Sequence, residues 1–454
     1  MPSNRTTQEP GTAVPRRAAD RTAEGPARFH GGTWTVRLMT VGIVLAALNL
    51  RPAITSLGAL LEEVRTGLGM SGGVAGLLTA VPPLCFALFS PAVPWFSRRF
   101  GPATLVCVGM AAVAGGLALR PFSDGTTGFL AASALALMGI AVTNVLMPVL
   151  VKRYFPDRVG SMTGLYSMAL SLGTGLAAGA TVPLADALGG GWRIGLSLWA
   201  VLAAVAVLPW LVVLGPLRAA ERRPTAEHGL PSRPNPPVGS SALSATAGEA
   251  RPAAARTGAG LLRSPIAWAL TGYFGLQSAG AYTVMGWIPQ IFRDAGVPAR
   301  TAGLLLAVIM ALGVPLAFAI PRLAARLRNQ GPIAVVLGLC GLAGYTGLFF
   351  APAAGAWAWA LLIGLSNCAF PLVLTMIGMR SRTAAGVVRL SAFTQSAGYL
   401  IAVPVPLLVG VLYQHGGGWG LPIGLMAGLL VPQIALGVLA GRDRTIEDEM
   451  GMRD

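Results

Sequence analysis

The chain reads as an all-α membrane protein of twelve transmembrane helices, built as two related six-helix bundles with both termini on the cytoplasmic side. Three observations carry this reading. Of 454 residues, 54% are hydrophobic and only 11% charged, with a mean hydropathy of +0.66, whereas a water-soluble domain carries about 25% charged residues. Twelve segments each supply the roughly 20 mostly apolar residues that a crossing helix needs. The second six segments also repeat the first six in one register.

Residues 1–35 are polar, contain Pro and Arg and lack an apolar core, which predicts a disordered cytoplasmic tail rather than a secretory signal. The first apolar segment, 36–61, carries LNLRPAIT; the second, 73–96, opens on VAGLLTAV and leads into a connector with Arg98 and Arg99. Segments 102–120 and 193–215 qualify on length and apolarity, 128–150 carries TNVLMP, and 160–184 carries the small-residue run GTGLAAG. Together they form an N-terminal bundle, 36–215. Residues 216–263 are rich in Pro, Ala, Ser, Gly and Arg and read as a flexible cytoplasmic linker with a reach of about 40 Å. Segments 265–290 (with FGLQSAGAYTVMGWIP), 301–320, 332–351 (with GLCGLAG), 355–378, 385–410 and 419–440 then make a C-terminal bundle, 264–441, before a cytoplasmic tail, 442–454.

At an offset of 227, VAGLLTAV (74–81) lies over TAGLLLAV (301–308), Pro94 over Pro321, Arg99 over Arg326, and GGGW at 189 over GGGW at 416; at 223, Asn144 and Pro148 fall on Asn367 and Pro371. Such a repeat marks a duplicated unit. The net charge of +16 would raise nucleic acid for a soluble chain, but the basic residues sit in short connectors between apolar segments. Lys and Arg favour cytoplasmic connectors. With both termini inside, the outer connectors hold only Arg65, Arg120, Arg193, Arg293 and Arg300. A single lysine, Lys152, beside abundant Arg, Ala, Gly and Pro suggests a GC-rich bacterial genome, hence the inner membrane. Cys85, Cys107, Cys340 and Cys368 lie in four different segments without metal or redox spacing and read as packing residues.

These features together, with LNLRPAITSLG (48–58), AGLLTAVPPLCF (75–86) and VTNVLMPVLVKRYFPDRVGSMTGLYS (142–167), resemble the major facilitator superfamily and, within it, the cyanate permease and 2-nitroimidazole exporter branch. The resemblance covers roughly 36–441. It implies a 6+6 fold, a cavity lined by helices 1, 4, 7 and 10, and secondary transport of a small molecule. The chain departs from the wider superfamily in three places: Arg98 replaces the acid of the connector motif formed by Pro94, Arg98, Arg99 and Gly101; the fourth helix lacks an arginine; and SLGTGLAAGATVP is a degenerate antiporter motif.

A charge at the centre of a spanning helix costs at least ~2.5–3.5 kcal/mol, so Arg51 marks a site. It offers five N–H donors to an anion, or it serves a structural role on backbone carbonyls or by snorkelling. Pro52 frees the carbonyl of Leu48 and bends the helix, and Thr55 shares the face of Arg51. Asn144 with Pro148, and Asn367 with Pro371, place an amide beside a proline-freed carbonyl; they line the cavity or cross-link helices. Asn49, Gln277, Tyr282 and Gln395 complete the candidate substrate-binding set, and Pro52, Pro148 and Pro371 the candidate hinges. Trp287 reads as an interfacial anchor or, with Gln277 and Tyr282, as an aromatic partner on the cavity side. Arg98, Arg99, Lys152, Arg153, Asp157 and Arg158 form a candidate cytoplasmic gate or simply carry topological charge, with Asp157 expected to pair with Arg98 or Arg99.

All acidic residues fall outside the core, as do His30, His228 and His415, so a coupled proton would ride on the substrate, on water or on a carboxylate near a helix end. Lys152 follows Val151, which leaves no G-K-[ST] phosphate loop, and no nucleophile or carboxylate pair suggests an enzyme. Neither a cofactor nor a metal is expected; the expected partners are a small-molecule substrate and the lipid bilayer, with the chain a monomer. A small anion or compact polar molecule fits an electropositive cavity best. A drug or metabolite efflux pump and a non-transporting sensor are the alternatives.

Overall fold

The computed structural model describes residues 33–189, 191–222 and 261–449, and the regular elements within them are helical. Most of the N-terminal tail, the central linker and the last five residues lie outside them. Eleven helices among the described residues are long and apolar enough to cross a membrane: α1 (Trp34–Ala59), α2 (Gly72–Ala92), α3 (Pro102–Phe122), α4 (Thr126–Tyr154), α5 (Ser161–Ala187), α6 (Trp192–Gly215), α8 (Ala299–Arg326), α9 (Gly331–Phe350), α10 (Ala356–Met379), α11 (Gly386–His415) and α12 (Gly420–Ala440). The helix between them, α7 (Pro265–Asp294), has 30 residues but a more polar composition. Its surroundings explain this, because α1, α2, α8, α10, α11 and α12 all pack on it and most of its side chains are buried. A helix enclosed by protein need not be apolar all round.

Local signals set the helix ends. Ser71 caps α2 by accepting the Val74 N–H, and Ser264, followed by Pro265, caps α7 by accepting the Ala267 N–H. Helical structure after α6 runs on to Arg222, beyond the expected end near residue 215. Four spans are interrupted: α1 at Leu50 and Arg51, α8 at Leu312, α10 at Cys368 and α11 at Val403. Two of these breaks directly precede Pro52 and Pro404, as proline's missing N–H requires.

Small residues seat the helices against one another. Within the first half Gly173 of α5 meets the Leu48 carbonyl, and within the second half Gly338 of α9 meets Ile434. The sequence repeat also has a spatial counterpart. A methyl on Gly76 of α2 would lie 2.9 Å from the Leu407 carbonyl oxygen of α11, and one on its repeat partner Gly303 of α8 would lie 2.7 Å from that of Ala178 of α5. The same glycine thus builds two equivalent contacts between the halves.

The face where α12 ends is tied together by the last helix among the described residues, Ile446–Glu449. Glu447 accepts from Ser381 at 2.6 Å, Asp448 pairs with Arg382, and Glu449 accepts from Ser264 at the start of α7. Buried Arg380 donates to the carbonyls of Ala440 and Gly441 and to Gln330. Burial pushes the Glu447 carboxyl up, but the Ser381 hydroxyl and the backbone N–H groups of Glu447 and Arg382 outweigh it and hold the group below its ordinary 4.5. Such a depressed carboxylate adds stability above its unfolded pKa and loses it as pH falls through the folded value. Hydrogen-exchange protection factors across residues 442–449 should therefore hold at neutral pH and fall only below pH 4.5.

Candidate functional site

The break in α1 creates the site. Helix Thr33–Asn49 stops, Leu50 and Arg51 form the turn, and Pro52 starts Pro52–Ala59 as its first residue. The N–H groups of Ile54 and Thr55 both donate to the Arg51 carbonyl, at 2.9 and 3.1 Å. The Leu48 carbonyl, deprived of a donor by Pro52, is covered by Gly173 of α5 rather than by a water-filled space.

The Arg51 side chain is half-buried and reaches α7, with its guanidinium carbon 5.8 Å from the ring centre of Tyr282. Behind Tyr282 stands an aromatic group from three other helices. Tyr399 of α11 lies 6.5 Å from Tyr282, stacks on Phe86 of α2 at 5.0 Å and meets Phe274 edge-on at 5.1 Å; Phe274 in turn lies 5.8 Å from Phe370 of α10. Among the described residues no carboxylate pairs with Arg51, and the buried Tyr282 hydroxyl faces the Arg51 guanidinium and the Tyr399 hydroxyl without completing a hydrogen bond to either. Tyr399, Phe86, Phe274 and Phe370 were not in the candidate set, because an aromatic residue in an apolar segment carries no sign of which ring it will touch.

The other candidates divide. Thr55 is buried with its hydroxyl on the Arg51 carbonyl, 3.2 Å away. Asn49 turns away from Arg51 and donates to Leu45 on its own helix and to Leu202 of α6 at 3.4 Å, so it is a helix cross-link. Gln277 and Asn367 meet each other instead of Arg51. Pro371 leaves the Asn367 carbonyl without a donor, and the Gln277 amide supplies one at 3.0 Å while also reaching the Asn367 side chain at 3.1 Å; Gln433 of α12 donates to Gln277 at 2.8 Å. They line a cavity of about 30 Å³ inside the second half. Gln395 bonds Ser391 on its own helix, and Asn144 is half-buried. No break occurs at the expected hinge Pro148, where α4 stays helical from Thr126 to Tyr154. One missing hydrogen bond does not part a long helix held by neighbours.

The two halves meet closely at the end away from the chain termini. A methyl on Gly58 would overlap the Met285 carbonyl oxygen of α7. Trp287 is buried, not interfacial, and its indole N–H donates across the halves to Thr79 at 3.1 Å. Glu63 pairs with Arg293 at 2.8 Å, the Gly73 N–H donates to Gln414 at 2.9 Å, and Asp294 accepts from Tyr413 and Trp419. The Glu63–Arg293 pair is partly exposed, which limits it to about 1 kcal/mol. Replacing Glu63 by Gln should therefore raise the open fraction of this end by no more than about 5-fold, as measured by spectroscopic distances between labels on α1 and α7.

At the opposite face, Arg99, Lys152, Arg153, Asp157 and Arg158 are exposed, Arg99 lies over Phe100, and Arg153 lies over Tyr154. The Arg98 side chain is outside the described residues, and so is its expected pairing with Asp157; the alternative partner, Arg99, forms no ion pair with Asp157 among the described residues. One arginine is misplaced by the sequence. Arg120, read there as an outer-connector charge, is fully buried, donating to Ser133 and to the Ala53 carbonyl, both at 2.9 Å. Its position at the end of an apolar segment gave no sign that its side chain folds inward.

The fold and site are those of a multi-pass membrane transporter, not an enzyme. The chain belongs to the Major Facilitator Superfamily, whose family model matches residues 39–406, and to its cyanate permease and 2-nitroimidazole transporter branch. It is 35% identical over 420 residues to the uncharacterized transporter YycB of Bacillus subtilis (strain 168), covering 90% of this chain and 94% of that one. It is 31% identical over 410 residues to a 2-nitroimidazole transporter of Escherichia coli (strain K12), covering 90% and 96%. A crystal structure of a D-xylose-proton symporter shares the fold with a TM-score of 0.65 at 15% identity, over 90% of this chain and 96% of the other.

Proposed function

We propose that this secondary transporter carries a small planar anion or compact acceptor-bearing molecule, cyanate-like or nitroimidazole-like, which binds between Arg51 and the aromatic wall of Tyr282 and Tyr399. The observation that carries this reading is a half-buried guanidinium with no acid to neutralise it, facing a tyrosine whose hydroxyl is unsatisfied. A flat ligand can stack on rings while its electronegative end takes the N–H donors of Arg51. The same charge repels cations.

The cycle rocks the two bundles about this position, and the tight end described above corresponds to a state open toward the opposite face. In this reading α7 is the twelfth crossing, both termini face the cytoplasm of a bacterial inner membrane, and the protein works as a monomer. Its support is the Lys and Arg bias of the connectors on the termini side. A coupled proton, where one moves, travels with the substrate. The test is a thermal-stability screen of the purified protein against cyanate, other small anions and 2-nitroimidazole. At least one should raise the unfolding midpoint in the wild type and not in Arg51→Ala; a screen in which only cationic compounds stabilise would overturn the reading.

A further inference from the structure

Two arginines among the described residues are buried, and each is held by fixed acceptors. Arg120 donates to the Ser133 hydroxyl and the Ala53 carbonyl; Arg380 donates to the carbonyls of Ala440 and Gly441 and to the Gln330 side chain. Arg51 has no such set. Its guanidinium faces the ring and hydroxyl of Tyr282, and no carboxylate among the described residues pairs with it. The nearby amides are committed elsewhere, Asn49 to α6 and Gln277, Asn367 and Gln433 to one another. What sustains this charge in the arrangement described here is that Arg51 is only half-buried and keeps contact with water.

Alternating access removes that contact. To pass from one open state to the other, the far ends of the bundles must close over the site while the seam at Gly58 and Met285 is still shut. The groups then left around Arg51 are the aromatic wall of Tyr282, Tyr399, Phe86 and Phe274. Ring faces attract a cation only modestly. Trapped water takes up the N–H donors but does not cancel the charge, and an enclosed charge is strongly disfavoured unless it is paired. A bound anion does both, accepting from the guanidinium and bringing the net charge of the site to zero.

We propose that the empty carrier is locked: it changes sides only with an anion on Arg51, so the protein exchanges one small anion for another and does not move one species alone. This rests on the reading that Arg51 holds the substrate. It narrows that substrate to species that are anionic while they cross, because a neutral acceptor leaves the guanidinium uncancelled. It also assigns a second substrate class. Net movement of one anion requires a counter-anion of like charge and similar size travelling the other way, and one-for-one exchange of monovalent anions moves no net charge across the membrane.

Single-molecule fluorescence transfer between dyes on α1 and α7, near Glu63 and Arg293, reads the switching directly. With gluconate as the bulky medium anion and no ligand, the wild type should rest in one arrangement, whereas Arg51→Gln, which drops the charge, should switch at least about 10-fold more often. Adding cyanate or the 2-nitroimidazole anion should speed the wild type and leave Arg51→Gln unchanged. In proteoliposomes loaded with radiolabelled cyanate, wild-type efflux should be at least about 10-fold faster into unlabelled cyanate than into gluconate. A ligand-free wild type that switches as often as Arg51→Gln, or net efflux as fast as exchange, would overturn the lock; free switching of the empty wild type does so whether or not the variant folds. Faster switching in Arg51→Gln with no effect of either anion on the wild type would keep the lock and sink the substrate reading instead.

Discussion

Replacing Arg51 by alanine should reduce transport by about 10- to 150-fold, the equivalent of the 1.5–3 kcal/mol carried by a hydrogen bond to a charged group, without weakening the fold. The two halves of that expectation have separate causes. Substrate loses the donors that hold its electronegative end, whereas the helix break survives because it depends on Pro52 and on the Arg51 backbone carbonyl, not on the guanidinium. Removing an unpaired charge from the bilayer even relieves a desolvation cost. Arg51→Lys keeps the charge but not the planar fork, and should recover only a small part of the loss. Counterflow in proteoliposomes together with unfolding midpoints decides the matter; an alanine variant that transports at the wild-type rate sinks the site assignment.

The second large effect should come from Gly58→Val. A side chain there collides with the Met285 backbone, which cannot move without displacing α7, so the end of the bundle near Glu63 and Arg293 is held apart. Transport should fall to background while the two bundles stay folded, and hydrogen exchange should quicken in residues 72–81 and 283–290. Gly280→Ala provides the contrast. It lies on the same helix α7 with open space around it and should exchange and transport like the wild type. Equal exchange in Gly58→Val and wild type would mean that this contact does not govern closure.

Much of the architecture was legible because the bilayer enforces it. Twenty apolar residues in a row have few other uses, and the repeat that set Gly76 over Gly303 reappears as two equivalent contacts between the halves. Pro52 and Pro371 were legible for a chemical reason, since a carbonyl without its N–H must find another partner; α1 breaks at the first, and Gln277 supplies the donor at the second. Partner choice across long sequence distances was not legible. Nothing local to Gln277 says that it will meet Asn367 rather than Arg51, and nothing in Trp287 says that it will face Thr79 rather than lipid headgroups. Arg120 was hidden by its own length, because a side chain of that reach can run outward to water or inward to Ala53 from the same backbone position.

The mixed composition of α7 carries a consequence for how the protein is made. Its glutamines, tyrosines and threonines are buried by α1, α2, α8, α10, α11 and α12, all but the first two of which are synthesised after it. While the ribosome is still extending the chain, this helix has only α1 and α2 beside it and gains little from lipid on its own. Its settled place in the bilayer is therefore a late event, fixed only when the last helices emerge and close around it, and C-terminal truncation should strand the helix that carries Tyr282.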